Sequence, residues 1–437
     1  MRKPYPENNE RRHSAGTCDT IWSNRIQAFI SQDFLYSEKR RRRGMVAKRK
    51  GATEKQSPRK AAAKKKAAPK TTKKKQVAQK SVKTKQTARK KQPATRASLI
   101  KSKLAAAEKA RKKRAAAQKI KEQEKKRAAA QKIKEQEDAA LYSLGIAFDG
   151  SGIVPITEAR ISMVDMGFLH SDVCYDVVSV WNGSFFRLNE HMDRFERSYQ
   201  GLGFKLSYTK EEMRQILIDM IARAKLKDAY VFMCATRGLP DMEDPRDMDR
   251  YHQMFYAFAV PFIWLVSPDE QKIGTDVIIS SVPRIPKECV DPTIKNHHWG
   301  DLTRAEKEAH AKGAKTAFLL DHDGNLTEGV GFNIFIIKDG RLLTPDSGCL
   351  LGITRLTVFD LAREMNIEAT ACKISAEMVR AADEIFMCTT AGGIMPVKSI
   401  DDIPLSGGRP GPITMKLHEA FWKAHERPEY STPVNYS

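Results

Sequence analysis

"VDPTIKNHHWGDL", Val290–Leu302, sets one lysine, Lys295, between an Asp-Pro turn and the cluster Asn296, His297, His298, Trp299. The chain holds 76 Lys and Arg, so one lysine means little unless its surroundings change its chemistry. In water a lysine titrates near about 10.4 and is a poor nucleophile at neutral pH. Burial beside apolar groups or cations lowers that value and lets the amine form Schiff bases. Ile294 and Trp299 are the neighbours expected to supply such surroundings. The doubled histidine raises a metal question. Adjacent residues on a strand point to opposite faces, and no Cys or His at ligand spacing completes a tetrahedral set. No metal is expected, and His297 and His298 read as structural or supporting residues.

Working outward, the flanking sequence has globular texture. "DVVSVWNGSFFRL" reads as strand, Asn182-Gly183 turn, strand, because Asn-Gly is the strongest short hairpin signal. "NEHMDRFERSYQGLGF" follows as a glycine-closed helix with Met192, Phe195 and Tyr199 on one face. "KEEMRQILIDMIARAKL" is a second amphipathic helix. "AYVFMCATRGL" and "HQMFYAFAVPFIWLV" are strands joined by the polar loop "PDMEDPRDMDRY". "SPDEQKIG" reads as a linker between domains. Beyond it come a strand "TDVIISSV", the opening stretch, a helix "LTRAEKEAHAKG", a strand "KTAFLLD" and a hairpin "TEGVGFNIFIIKDGRLLTP" turning at Asp339-Gly340. A helix "ITRLTVFDLAREM", strands "IEATACKI" and "EIFMCTT", a glycine turn "AGGI" and a helix "ITMKLHEAFWKAHE" complete the chain. The expected organisation is a basic extension (1–138), a small α+β domain (139–266) and a larger α/β domain (267–437).

The net charge of +23 hides a split. Residues 1–138 carry 44 Lys and Arg against 12 Asp and Glu; the remainder carries 32 against 41. Residues 46–100, rich in Lys, Ala, Thr, Gln and Pro, lack the apolar area to offset ordering entropy and read as disordered. Residues 103–138 are strong helix formers, with "RAAAQKIKEQE" at Arg114–Glu124 and again at Arg127–Glu137. Each copy offers a single bulky apolar residue, Ile120 or Ile133, so a solvated helix is expected rather than a packed repeat array. A segment this basic binds polyanions non-specifically. "KRRRRGMVAKRK" (Lys39–Lys50) reads as a nuclear-localisation cluster, and "TKQTARK" (Thr84–Lys90) matches a core-histone tail. The alternatives are a solvated low-complexity tail and a chromatin or nucleic-acid function.

Seven cysteines without a CxxC pair fit reduced thiols in a cytosolic or nuclear setting. No apolar run is long enough for a membrane span. The first residues, "MRKPYPENNERRHSAG", lack the apolar core of a secretory signal and carry Glu7 and Glu10, unlike a mitochondrial presequence.

Several residues could carry chemistry. "LGITRLTVFDLA" puts Gly352, Ile353 and Thr354 at a helix start, where free N–H groups and the dipole make either a cap or an anion site. "CTTAGGIMP" adds the hydroxyls of Thr389 and Thr390 ahead of a tight turn. Arg194 could give the same anion a fixed positive charge. Glu328, between apolar residues and beside Gly329 and Gly331, is either a strand-edge carboxylate facing water or a buried one awaiting a cation.

From about Leu144 onward the chain resembles the class IV, fold-type IV, pyridoxal-phosphate aminotransferases. The resemblance rests on "NEHMDRFERS", "VDPTIKN", "TEGVGFNIFIIKDG", "GITR" and "TTAGGIMPV", occurring in that order. Within that family "DPTIKNHHWGDL", "GGIMPV" and "GPIT" are most similar to the (R)-selective amine transaminases. The resemblance implies a two-domain α+β enzyme of the D-amino-acid aminotransferase-like fold, with pyridoxal 5'-phosphate as cofactor. Lys295 would form the internal aldimine and shuttle the proton at substrate Cα, and Glu328 would pair with the pyridinium nitrogen. Arg194, the backbone of Ile353 and Thr354, and Thr390 would hold the phosphate. His170, Tyr175 and Trp299 match substrate-pocket positions. Phe232 suggests a larger apolar pocket, and Arg246 or Arg250 would hold a substrate carboxylate. The implied substrates are an amine or amino acid and a 2-oxo acid, and the implied assembly is a homodimer. Branched-chain or D-amino-acid transamination, an aminodeoxychorismate lyase, and a nucleic-acid-binding protein on an aminotransferase scaffold are the alternatives.

Overall fold

A computed structural model describes residues 96–436. Of the stretch expected to be disordered (46–100), residues 46–95 lie outside the described residues, as do the cluster Lys39–Lys50 and the stretch Thr84–Lys90, while 96–100 are helical instead.

The Ala/Lys/Gln/Glu-rich segment forms one helix, α1 (Arg96–Leu141), longer at both ends than composition predicts. Its described side chains are exposed throughout. It ends where Tyr142 plugs into the following core at 1% exposure, with Arg223 over its ring.

The first half then runs β1 (Ile146–Phe148), β2 (Ile153–Pro155), a short helix α2 (Met166–His170), β3 (Val173–Trp181) and β4 (Ser184–Phe186). After these come α3 (Leu188–Gly201), α4 (Lys210–Ala224), β5 (Ala229–Leu239) and β6 (His252–Pro261). The Asn182-Gly183 turn has both residues at positive φ (49° and 78°), as a two-residue hairpin requires. The Thr209–Glu212 capping box starts α4. The segment expected as a linker is instead a helix, α5 (Pro268–Ile273). Ser267 and Glu270 form a capping box around Pro268 at the first turn, a signal already present in "SPDE".

The second half continues with β7 (Thr275–Ile279), α6 (Gly300–Ala311), β8 (Thr316–Leu320), β9 (Leu326–Gly329), β10 (Asn333–Lys338) and β11 (Arg341–Pro345). It ends with α7 (Ile353–Glu364), β12 (Ala369–Cys372), α8 (Ala376–Arg380), β13 (Glu384–Thr389), β14 (Gly393–Ile400), β15 (Ile403–Pro404), α9 (Pro412–Ala424) and β16 (Ser431–Pro433). The elements β1, β2, α2, α8, β14, β15 and β16 are additions to the sequence reading.

Two sheets result. The first is antiparallel, in the order β16-β4-β3-β5-β6-β1-β2. The second is mixed, in the order β12-β11-β10-β13-β14-β7-β8-β9, with β15 on β14. The last strand therefore returns to the first sheet, pairing Ser431–Pro433 with β4. Alternation divides the faces of the first sheet. Val178, Val180, Val231 and Met233 pack against Phe195, Met213 and Leu217 of α3 and α4. Tyr175, Val177, Phe232, Cys234 and Tyr256 form a separate group on the opposite face. In the second half, Phe318, Ile334, Ile336 and Met395 fill one core, and Phe335, Phe386, Leu361 and Leu417 another beneath α7 and α9. Each large side chain fully buried this way stabilises by roughly 1.5–3 kcal/mol.

Candidate active site

Lys295 is held by its own main chain. Its carbonyl accepts from Tyr175 N at 2.9 Å, and Asn296 bridges Cys174, so the loop is stitched to the start of β3. Upstream, Asp291 Oδ1 accepts from Thr293 N and Oγ1 at 2.8 and 2.7 Å, fixing the Asp-Pro-Thr turn. Downstream, Asn296 Oδ1 accepts from His298 N. The half-buried Lys295 Nζ lies 4.4 Å from the centre of the Tyr175 ring. Burial, and secondly the positive charge of Arg194, push its amine down to about 8. Tyr175 supplies these surroundings. Ile294, expected to do so, packs instead with the core of the first half, while Trp299 packs beside Tyr175.

Glu328 is buried, and both oxygens are engaged. Oε1 accepts from Arg284 Nε and Nη2 at 3.1 and 3.0 Å, and Oε2 accepts from Leu350 N at 3.1 Å. Burial raises this carboxyl above its ordinary value, opposed by Arg284 and then by the Leu350 N–H. Arg284, itself buried, also donates to Asp301 Oδ2 at 2.5 Å. The sequence reading missed both partners. The signal for Arg284 was a single cation inside the apolar run "IISSVPRIP".

Asp176 was also missed. It is fully buried on β3 and accepts from Arg194 Nε (2.7 Å), Arg194 Nη2 (2.8 Å) and His191 Nδ1 (2.8 Å). Burial alone would raise its carboxyl, but Arg194 and His191 outweigh this and hold it well below the usual carboxylate range. Burial keeps His191 neutral. The remaining arm of Arg194, Nη1, donates to Leu351 O at 3.2 Å, which brings the guanidinium to the start of α7.

That helix start has the form of an anion cradle. Gly352 caps α7 without any side-chain cap, and its neighbour Asn333 leaves no room for a Cβ there. Among the described residues no carbonyl accepts from Ile353 N or Thr354 N. Thr389 donates its hydroxyl proton to Gly331 O at 2.9 Å, fastening the end of β13 to the β9–β10 turn. The adjacent Thr390 hydroxyl has no partner among the described residues. The residues thus fit a phosphorylated pyridine: a reactive amine, a buried carboxylate, and an uncapped helix start with an arginine beside it.

One wall is aromatic. Tyr175 and Phe232 stack at 5.2 Å, Phe232 and Phe258 at 4.9 Å, and His297 lies 4.8 Å from Tyr175. Gly331, at φ +84°, permits the close approach of Trp299, whose ring atom Cη2 would lie 3.1 Å from a Cβ at that position. His170, with Asp172, Cys289, Ile294 and His298, lines a cavity of about 380 Å³. Arg246 is exposed on the β5–β6 loop, and Arg250 is paired with Asp241 and Glu243.

Residues 173–400 match the model of amino-transferase class IV. The chain is 35% identical over 267 residues to a putative branched-chain-amino-acid aminotransferase of Methanocaldococcus jannaschii, covering 60% of this chain and 91% of that protein. It is 32% identical over 275 residues to a D-alanine aminotransferase of Listeria monocytogenes, covering 62% and 92%. A solved branched-chain aminotransferase from Thermobaculum terrenum, in its PLP form, aligns with TM-score 0.61 at 28% identity, covering 67% of this chain and 99% of that one. A branched-chain aminotransferase from Thermoproteus uzoniensis with norvaline aligns at 0.61 and 28%, covering 66% and 99%. The cofactor is pyridoxal 5'-phosphate. With this fold and this match over half its length, the chain belongs to the class IV aminotransferases.

Proposed function

We propose that this aminotransferase moves an amino group from an aryl-bearing or bulky apolar amine, of (R)-amine type, to a 2-oxo acid, with Lys295 as the catalytic amine. When bound, pyridoxal phosphate supplies an electron-withdrawing ring that stabilises negative charge at the substrate carbon. Lys295 Nζ would hold the cofactor and would carry the proton at substrate Cα. Glu328, whose burial-driven rise is opposed by Arg284 and Leu350 N, would hold the proton on the ring nitrogen. Ile353 N, Thr354 N, the Thr390 hydroxyl and Arg194 would hold the phosphate. Asp176 fixes the plane of Arg194 for that contact.

The stacked wall of Tyr175, Phe232 and Phe258 carries the substrate reading. An aromatic face 4.4 Å from the reacting amine rewards an aryl group. Among the described residues the one cation over a ring of this wall is Lys295 itself. Arg246 is the loop cation left for the 2-oxo acid, since Asp241 and Glu243 occupy Arg250.

The test is a half-reaction. Cofactor-loaded protein is mixed separately with (R)-1-phenylethylamine, its (S) enantiomer, D-alanine and L-leucine, and loss of the visible band is timed. The (R)-amine is expected to react fastest. A faster L-leucine would replace this reading with branched-chain transamination, which the M. jannaschii relative's name suggests. Phe232→Ala is expected to slow the aryl amine by about 3- to 10-fold, the worth of one aromatic pair of roughly 0.5–1.5 kcal/mol, while leaving D-alanine unchanged.

The working unit is proposed to be a homodimer. Ile161, Met163, Val164, Phe168 and Leu169 form an exposed apolar run before β3, of the kind that marks an interaction surface. Met163→Asp with Phe168→Asp is expected to halve the mass read by light scattering. An unchanged mass would place the contact elsewhere.

A further inference from the structure

We propose that α1 is a DNA-binding arm, a cationic helix that enters the major groove of duplex DNA and contacts phosphates on both strands. The inference is independent of the aminotransferase reading, since α1 precedes the matched residues 173–400.

Charge is the first observation. From Lys101 to Arg127 the helix carries twelve Lys and Arg against three Glu. Two ion pairs, Lys112 with Glu108 and Lys126 with Glu122, occupy two of the cations. Among the described residues the other ten have no acidic partner. Arg111, Lys112, Lys113 and Arg114 are consecutive, so at about 100° per residue they encircle the helix axis. A ring of cations suits a groove, where phosphates flank the helix on both sides, better than it suits a flat anionic surface.

Shape narrows the partner. A helix with its side chains is about 10–12 Å across, and the B-form major groove is about 12 Å wide. The major groove of A-form RNA is too narrow to admit it. A lipid surface would need an apolar face. Within Lys101–Arg127 the large apolar residues are Leu104 and Ile120, both exposed and sixteen positions apart, which puts them on nearly opposite sides. The same scatter denies a coiled-coil seam.

Anchorage is the third observation. Tyr142, 1% exposed, seats the end of α1 in the core of the first half, so the arm leaves the enzyme as a continuous helix of 46 residues, roughly 69 Å long. The proposed binding is driven by charge, which the stretch Lys109–Arg114, made only of Lys, Arg and one Ala, supplies. Its contacts would go to the phosphate backbone.

The test uses the full chain carrying its cofactor and a labelled random-sequence duplex, with affinity measured by fluorescence anisotropy across salt. The wild type is expected to bind with a steep negative dependence of log K on log salt, about 0.9 per phosphate contacted. The variant Arg111→Gln, Lys112→Gln, Lys113→Gln, Arg114→Gln, which keeps good helix formers, is expected to bind at least about tenfold more weakly at about 150 mM salt. Its slope should be shallower by about two to four. Its amino-transfer rate and helix content by circular dichroism should match wild type. An identical slope in both proteins would overturn the proposal, placing any binding in the residues before α1. No DNA binding at that salt, tighter binding to duplex RNA, or tighter binding to anionic phosphatidylserine vesicles would each overturn it as well.

Discussion

Lys295→Ala is expected to lose the visible band of lysine-linked cofactor and to lower amino transfer by at least about 10³-fold. A single positioned acid–base group is worth roughly 10²–10⁴, and the same side chain is proposed to make the covalent link as well. The loss should be chemical rather than structural. The loop is held by Tyr175 N on the Lys295 carbonyl, by the Asn296 bridge and by the Asp291 turn, none of which uses the Lys295 side chain. Thermal unfolding of the cofactor-free variant should therefore stay near wild type. The wild-type protein adds a pH test. Burial, then Arg194, places the amine at about 8, well below its ordinary 10.5. A lowered lysine is cationic and unreactive below its value and neutral above it. Cofactor capture by the cofactor-free protein should accelerate from pH 6 and level off above about 8. A rate still climbing toward pH 10 would mean an ordinary lysine. Lys295→Arg, cationic throughout, should fail at every pH. A Lys295→Ala protein that keeps its colour and turnover would remove this residue from the mechanism.

How much of this could be read beforehand differs by residue. The Asn182-Gly183 and Asp339-Gly340 turns and the helices α3, α4 and α7 follow from local signals, whose physics stays within a few residues. β14 was lost because "GIMPVKSI" follows a glycine turn and is apolar on both faces, so alternation is absent. β16 was lost because only its pairing with β4, far away in sequence, makes Ser431–Pro433 a strand. Lys295, Glu328 and the start of α7 could be named in advance because each is chemically out of place in its own segment. Their partners could not be paired off, since nothing local says that Arg284 faces Glu328 across 44 positions or that Asp176 orients Arg194. Which cavity His170 lines depends on how irregular loops pack, which has no sequence period.

Those unseen partners yield the second large effect. Arg284→Met is expected to destabilise the protein by about 3–5 kcal/mol and to lower turnover by about 10²-fold or more. The substitution leaves Glu328 and Asp301 facing each other without the shared cation, and removing one partner of a buried ion pair costs more than the pair itself contributes. Burial already holds Glu328 above its ordinary value of 4.5, with Arg284 the chief opposing influence. Without Arg284 the chief opposing influence is gone and the carboxyl rises further, so it becomes a weaker partner for the proton on the cofactor's ring nitrogen. The sign of the pH dependence follows. A carboxyl raised in the folded state binds its proton more tightly folded than unfolded, so the stability it contributes is present at low pH and is lost as pH rises from about 4.5. The Arg284→Met deficit, measured by urea unfolding of the cofactor-free protein, should therefore be smaller at pH 5 than at pH 8. Adding Glu328→Gln removes the stranded charge and should recover part of the stability, giving a double-mutant loss smaller than the sum of the singles. It should recover no turnover, because the group proposed to hold the ring proton is gone. Additive stability losses, or a deficit independent of pH, would show that Arg284 does not set the charge on Glu328.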